Sequence, residues 1–151
     1  MIDGVQTKLM RVMPDERGFL MEILRSDDPL FKNFGQLYLT AAYPGVVKGW
    51  HYHERQTDFF VCIQGMMKLV LYDNREDSPT KGQVNQLFLG ELNRQLVVIP
   101  PGIWHGFKCI SDEIALVVNA PDKVYDYLDP DEIRCDPHIN DIPYEWDRKD
   151  G

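Results

Sequence analysis

No stretch of this 151-residue chain carries clean helical periodicity over three turns. Short runs rich in Val, Ile, Leu, Phe and Tyr recur instead, at 36–43, 58–64, 67–72, 84–89, 96–99, 106–110 and 114–119. That spacing predicts an all-β sandwich or barrel. Gln64-Gly65 reads as the tight turn of a hairpin, Ser111-Asp112-Glu113 as a second, and 73–83 as a polar loop. Residues 29–34 and 130–134 are expected to form at most one or two helical turns each, with Asp129 or Asp131 near a helix start. Phe59-Phe60-Val61-Cys62-Ile63 is apolar on both faces, whereas a half-solvated strand would alternate. Either packing inside a sandwich or a partner subunit must cover its second face.

The length fits one domain, 1–151, that buries a core without disulfides. Cys62, Cys109 and Cys135 are odd in number and widely spaced, with no Cys-x-x-Cys, so no disulfide framework or zinc ribbon is implied. Cys62 and Cys109 lie in apolar runs and read as buried thiols, which suits a reducing cytosol. No apolar run approaches the ~20 residues of a membrane span. The start shows no basic region followed by an apolar stretch, so a cytoplasmic location is expected. The net charge of −8 argues against nucleic acid and anionic membranes as partners and leaves a small molecule held by a local basic cluster. The charged tail 147–151 is expected to fray.

Three of the four histidines fall in two short segments, Gly49-Trp50-His51-Tyr52-His53 and Trp104-His105-Gly106-Phe107; His138 reads as a surface residue. On a strand, His51 and His53 point to one face about 6–7 Å apart, and His105 joins them from another strand. Asp58 lies five residues beyond His53, so an unbroken strand would send it to the opposite face. A turn or bulge through Glu54-Arg55-Gln56-Thr57 must bring it back. The pattern resembles the two cupin motifs. Gly45, His51, His53, Asp58 and Gly65 match the first, with Asp in place of Glu; Pro100, Gly102 and His105 match the second, with Cys109 in place of the closing Asn. The resemblance implies a cupin-type double-stranded β-helix, or jelly roll. It also implies a possible metal set of His51, His53, Asp58 and His105. Three His and one carboxylate suit Zn, Fe, Mn or Ni, and a metal-free polar pocket is the alternative.

From Asp15 to Trp146 the chain is also similar to the dTDP-4-dehydrorhamnose 3,5-epimerase family of nucleotide-sugar enzymes. The matching pieces are Asp15 to Glu22, Gly45 to Tyr52, Asp73-Asn74-Arg75, Ser78-Pro79-Thr80-Lys81-Gly82, Ile99 to Phe107 and Tyr127 to Pro137. The resemblance implies that His51 is the base removing protons beside the keto group and that His105 faces the sugar. Arg17, with Glu22 nearby, would bind nucleotide, and Lys48 would carry a charge for the diphosphate. Arg75 is a further binding candidate or an ordinary loop charge. Trp50 and Trp104 are pocket walls or core. Two departures stand out. The family's Lys seven residues after the base is Asp58, and its proton-donating Tyr thirteen residues after the second His is Val118. Tyr127 and Tyr125 are candidates for the missing acid, with packing the competing role. Losing the Lys while gaining His53 and Asp58 completes a metal-ligand set, and a divalent cation there can polarise a keto oxygen as the Lys would.

The leading reading is therefore an epimerase or isomerase for a nucleotide-linked keto-deoxysugar in deoxysugar or polysaccharide biosynthesis. A metal cupin of other chemistry, isomerase or dioxygenase, and a non-catalytic sugar- or nucleotide-binding cupin are the alternatives. A homodimer sharing its N-terminal region is expected, which would bring Arg17 toward the neighbour's pocket.

Overall fold

The computed structural model describes residues 1–148 as two facing antiparallel five-stranded sheets and a separate hairpin. Numbered in chain order, the strands of the first sheet run β1 (Gln6–Leu9), β9 (Gln95–Ile99), β6 (Asp58–Gln64), β11 (Ala115–Asn119), β4 (Tyr38–Ala42). The second runs β12 (Ile133–Arg134), β5 (Val47–Tyr52), β10 (Ile103–Cys109), β7 (Met66–Asp73), β8 (Val84–Gly90). The hairpin is β2 (Val12–Asp15) with β3 (Gly18–Met21). This is the expected all-β jelly roll, and no helix occurs among the described residues.

All seven strand-like runs form strands. The connections differ from expectation. Gln64-Gly65 and Ser111-Asp112-Glu113 do not close hairpins: β6 and β7 lie in different sheets, as do β10 and β11. In a jelly roll, chain neighbours cross between layers, so a tight turn here is a corner. Gly65 takes φ 69° at one such corner, where a Cβ would press 2.7 Å from the Ile114 carbonyl oxygen.

Neither expected helical turn forms. At 29–34 the chain makes a turn closed by the Phe31 N–H on the Asp28 carbonyl. Residues 133–134 pair with β5 as β12. Asp131 caps no helix. Its carboxylate accepts the N–H groups of Glu54, Arg55 and Gln56 at 2.8–2.9 Å, fixing the loop between β5 and β6.

The apolar faces sort into layers. Phe60 and Cys62 of β6 point between the sheets, with Met67, Leu69, Leu71, Val97, Ile99, Phe107 and Val117. Phe59 and Val61 point outward against Met10, Met21, Ile23, Leu24 and Leu30. The chain's own N-terminal segment thus covers the second face of β6. On the far side, Trp50 and Val70 lie under Trp146, with Ile142 and Tyr144 packed around them. Burying each of these large side chains contributes about 1.5–3 kcal/mol. Cys62 and Cys109 are buried free thiols, as read from sequence. Of the charged tail, 149–151 lie outside the described residues.

The Asp73 and Ser-Pro-Thr pieces build the β7–β8 connection. Asp73, fully buried, accepts from Arg75 Nε at 2.9 Å, Arg75 Nη2 at 2.9 Å, Ser78 Oγ at 2.5 Å and Thr80 Oγ1 at 2.6 Å. Burial opposes ionisation of Asp73, but these bonds outweigh it and hold the carboxyl well below the usual range. Asp73→Ala strands four donors, two of them on the Arg75 guanidinium, and is expected to cost about 3 kcal/mol. A urea titration checks this; a loss under about 1 kcal/mol would show that the loop does not depend on Asp73.

Candidate active site

His51 and His105 face each other across β5 and β10, where they are register partners with ring centroids 4.3 Å apart. Two motif glycines permit that approach. A Cβ on Gly49 would meet the Gly106 Cα at 2.8 Å. One on Gly106 would meet the Gly49 Cα and the Lys48 carbonyl oxygen, both at 3.0 Å. The strands touch backbone to backbone there, and the register shifts between His105 and Phe107. Glycine is required by space at these two places.

Asp58 reaches the histidines by a route the strand argument missed. No bulge returns it to the face of β5. The loop after His53 crosses to the other sheet, and Asp58 opens β6 there, facing back across the sandwich. Its Oδ2 lies 3.3 Å from His53 Nε2 and 3.2 Å from His105 Nε2. The ligand atoms of His53, Asp58 and His105 all lie within 4.8 Å of one another. His51 stands outside that set of three, although the sequence placed it among four ligands.

The proton inventory of this cluster is unusual. His105 Nδ1 lies 2.9 Å from the Ile103 carbonyl oxygen, and His53 Nδ1 contacts the Asp131 carbonyl oxygen. A carbonyl only accepts, so both Nδ1 atoms carry hydrogen. A neutral imidazole then has a lone pair on Nε2, and both lone pairs would face the Asp58 carboxylate. Two arrangements relieve this: protonated imidazoles, or a cation between the three groups. Asp58 Oδ2 and His105 Nε2 are buried without a hydrogen-bond partner, although they lie at ion-pair distance. The other carboxylate oxygen, Oδ1, accepts from Gln56 Nε2 and Asn119 Nδ2, both at 2.8 Å. Burial opposes the Asp58 charge, but His105 and His53 outweigh it and hold the carboxyl far below its usual range. Burial also opposes charge on His53; Asp58 overcomes it, and the His53 pKa is raised.

Above this cluster lies a cavity of about 790 Å³. Its wall includes His51, His53, Gln56, Lys48, Trp50, Tyr38, Thr40, Tyr125, Tyr127, Glu132 and Arg134. Burial, then the neighbouring His105, pushes the His51 imidazole well below its ordinary pKa, so it is neutral near pH 7. Lys48 Nζ donates to Thr40 Oγ1 at 2.8 Å on the same wall.

Other candidates fall elsewhere. Arg17 sits at the tip of the β2–β3 hairpin, its side chain 83% exposed and paired with Asp15. Glu22 pairs with Arg25. Neither lines the cavity of its own chain. Arg75 is spent on Asp73. Trp50 is fully buried against Trp146, ring centroids 4.9 Å apart, and borders the cavity. Trp104 leaves the wall and packs on Tyr52. Tyr127, 88% exposed, stands at the mouth against Tyr125. Val118 packs outward with the Phe59 and Val61 cluster, so the inward position of β11 is Asn119.

Sequence reasoning missed Gln56, Asn119, Tyr38 and Arg134. The signal for Tyr38 was available: in a strand over 36–43, Tyr38 and Thr40 share a face. Arg134 lies two residues before Asp136 in a piece already matched, yet its pairing with His51 across β12 and β5 needed the fold.

The sequence profile described as dTDP-4-dehydrorhamnose 3,5-epimerase matches residues 1–150. A probable low-salt glycan biosynthesis epimerase, Agl13 of Haloferax volcanii, is 44% identical over 146 residues, covering 95% of this chain and 89% of that protein. The spore coat polysaccharide biosynthesis protein SpsL of Bacillus subtilis is 38% identical, covering 97% of each. Among solved structures, a dTDP sugar isomerase from Desulfovibrio desulfuricans G20 superposes with a TM-score of 0.91 at 36% identity, covering 96% of this chain and 92% of that one.

Proposed function

Because the chain belongs to the dTDP-4-dehydrorhamnose 3,5-epimerase family, we propose that it epimerises a nucleotide-linked 4-keto-6-deoxy sugar for surface polysaccharide biosynthesis, with His51 as the base. The observation that carries this is His51 itself: a neutral imidazole on the wall of a large cavity, with no hydrogen bond to its ring among the described residues. A base must be unprotonated and unengaged to take a proton from the carbon beside a carbonyl. Directly behind it, Asp58 favours the charged form of His53 where the family's Lys is missing. Such a field stabilises the enolate oxygen formed as the proton leaves. Lys48 and Arg134 on the same wall suit the diphosphate. Incubation with dTDP-4-keto-6-deoxyglucose in deuterated water tests the reading. Deuterium is expected at C3 and C5 of the sugar; binding without exchange would make the protein a sugar-nucleotide binding module.

A second reading concerns the cluster. His53, Asp58 and His105 fit a divalent cation: both imidazoles hold Nδ1–H on carbonyls, which is the usual outer support of a metal-binding histidine. The three ligand atoms lie within 4.8 Å of one another. The ion would supply Lewis-acid polarisation of a keto oxygen. Elemental analysis of untagged protein is the check, and substoichiometric metal throughout would leave a protonated His53 on Asp58.

Arg17 and Glu22 contribute to nucleotide binding in this proposal only by reaching a neighbour's cavity within a homodimer. Exposure of Phe19 (57%) and Leu20 (58%) on the β2–β3 hairpin supports that assembly. A one-chain mass by light scattering would count against it.

A further inference from the structure

Epimerisation needs a proton donor on the face opposite the base, and Val118, at the family's usual position, supplies none. Resting on the epimerase reading, we propose that Tyr38 is that donor. The argument begins at Asn119. Its Oδ1 accepts the Phe59 N–H at 2.9 Å, which sets the orientation of the amide. A flipped amide would place two donors together there and an oxygen against a carboxylate. Asn119 Nδ2 therefore donates both its hydrogens, to Asp58 Oδ1 at 2.8 Å and to Tyr38 Oη at 2.8 Å.

The Tyr38 oxygen is thus an acceptor in this network, and its own proton is left over. Among the described residues that proton has no acceptor. A phenol 39% exposed at the cavity wall, held by one bond through its oxygen and with its O–H unspent, is set up to donate to something in the cavity.

Placement supports the role. Tyr38 stands on β4 at the edge of the first sheet, and His51 on β5 of the facing sheet, and both line the same cavity. Donor and base come from opposite layers with the substrate space between them. Tyr125 and Tyr127 also line the cavity, but from the segment between β11 and β12 and not from the facing sheet; they stack edge to face at 5.0 Å, and Tyr127 is largely in solvent. Burial, then the Asp58 charge, lifts the Tyr38 pKa to about 12, so the phenol keeps its proton in the resting enzyme.

The step balances without any co-reactant but water. The C3–H bond breaks, its proton goes to His51, and its electron pair enters the C3–C4 bond as the C4 oxygen takes negative charge. The Tyr38 O–H then breaks, its proton forms the new C3–H bond on the opposite face, and the carbonyl returns. The tyrosinate regains a proton from water, and the His51 imidazolium releases one to water. The same sequence serves C5.

The test is Tyr38→Phe, assayed with dTDP-4-keto-6-deoxyglucose in deuterated water, reading deuterium uptake and epimer formation separately. Epimer formation is expected to fall about 100-fold, the lower range for removing a general acid. His51 can still remove and return a proton on one face, so exchange falls much less and the ratio of exchange to epimer rises. KM and thermal midpoint stay near wild type. Equal loss of exchange and epimer, or unchanged epimer formation, overturns the role of Tyr38 while leaving the epimerase reading intact. Failure of the wild type to show either signal overturns the epimerase reading and this role with it.

Discussion

His51→Asn is expected to lower deuterium exchange at C3 and C5 about 10³-fold while leaving the thermal midpoint within about 2 °C of wild type. General-base removal costs about 10²–10⁴-fold. The small structural effect follows from the same observation that makes His51 a base. Its ring takes part in no hydrogen bond among the described residues, so replacing it leaves no polar partner stranded. The contrast with its neighbours is chemical. His53 and His105 each hold a backbone carbonyl through Nδ1 and face Asp58 through Nε2. Alanine at either breaks a buried network and should destabilise the fold along with activity. A variant at His51 that lost activity and unfolded together would show that the residue belongs to the cluster and does not act alone above it.

Much of this site was legible in the sequence because its chemistry depends on residue type and spacing. The two histidine segments converge as the i, i+2 rule and the motif spacing require, and their glycines are needed at the backbone contact between β5 and β10. Asp58 meets the histidines after the turn through 54–57 that the sequence required, but that turn leads into the facing sheet. A strand argument treats the chain as staying in one sheet, whereas here five residues suffice to cross between sheets. The same blindness turned two sheet-crossing corners into hairpins. Strand β5 was read only as a motif, since Gly49 and two histidines dilute its apolar pattern. Arg75 was left open between a binding role and an ordinary loop charge; Asp73, in the same matched piece, and Ser78, in the next, are its partners. Gln56, Asn119 and Tyr38 were invisible because their roles follow from who accepts whose hydrogen, and that is decided by neighbours distant in sequence.

Asp58→Asn is expected to cost about 3 kcal/mol of stability and to abolish epimerisation. The substitution keeps the shape of the side chain, and its carbonyl oxygen can still accept from Gln56 and Asn119. The other arm becomes an NH₂ group 3.2–3.3 Å from the two Nε2 atoms: the ion-pair attraction is lost, and the amide repels a protonated ring and can only hydrogen-bond a neutral one. The carboxyl is held far below its ordinary pKa in the fold. Its contribution is therefore present above the unfolded value near ~4 and is lost as pH falls through the lower folded value. The gap between wild type and variant should be widest near neutrality and close in acid. The alkaline side separates the two states of the cluster. The His53 pKa is raised by Asp58, so a protonated His53 stabilises fully below its unfolded value near ~6.5, and that stability is lost as pH rises through the folded value. A bound cation has the opposite sign, because its histidine ligands must shed protons to bind and its hold tightens as pH rises. Urea midpoints of the wild type at pH 6 and pH 8.5, with and without a chelator, distinguish the two. A midpoint that falls with pH and ignores the chelator identifies a protonated His53 on Asp58. One that rises with pH and collapses on chelation identifies the metal. If Asp58→Asn left stability and turnover unchanged, neither state of the cluster would be part of the enzyme.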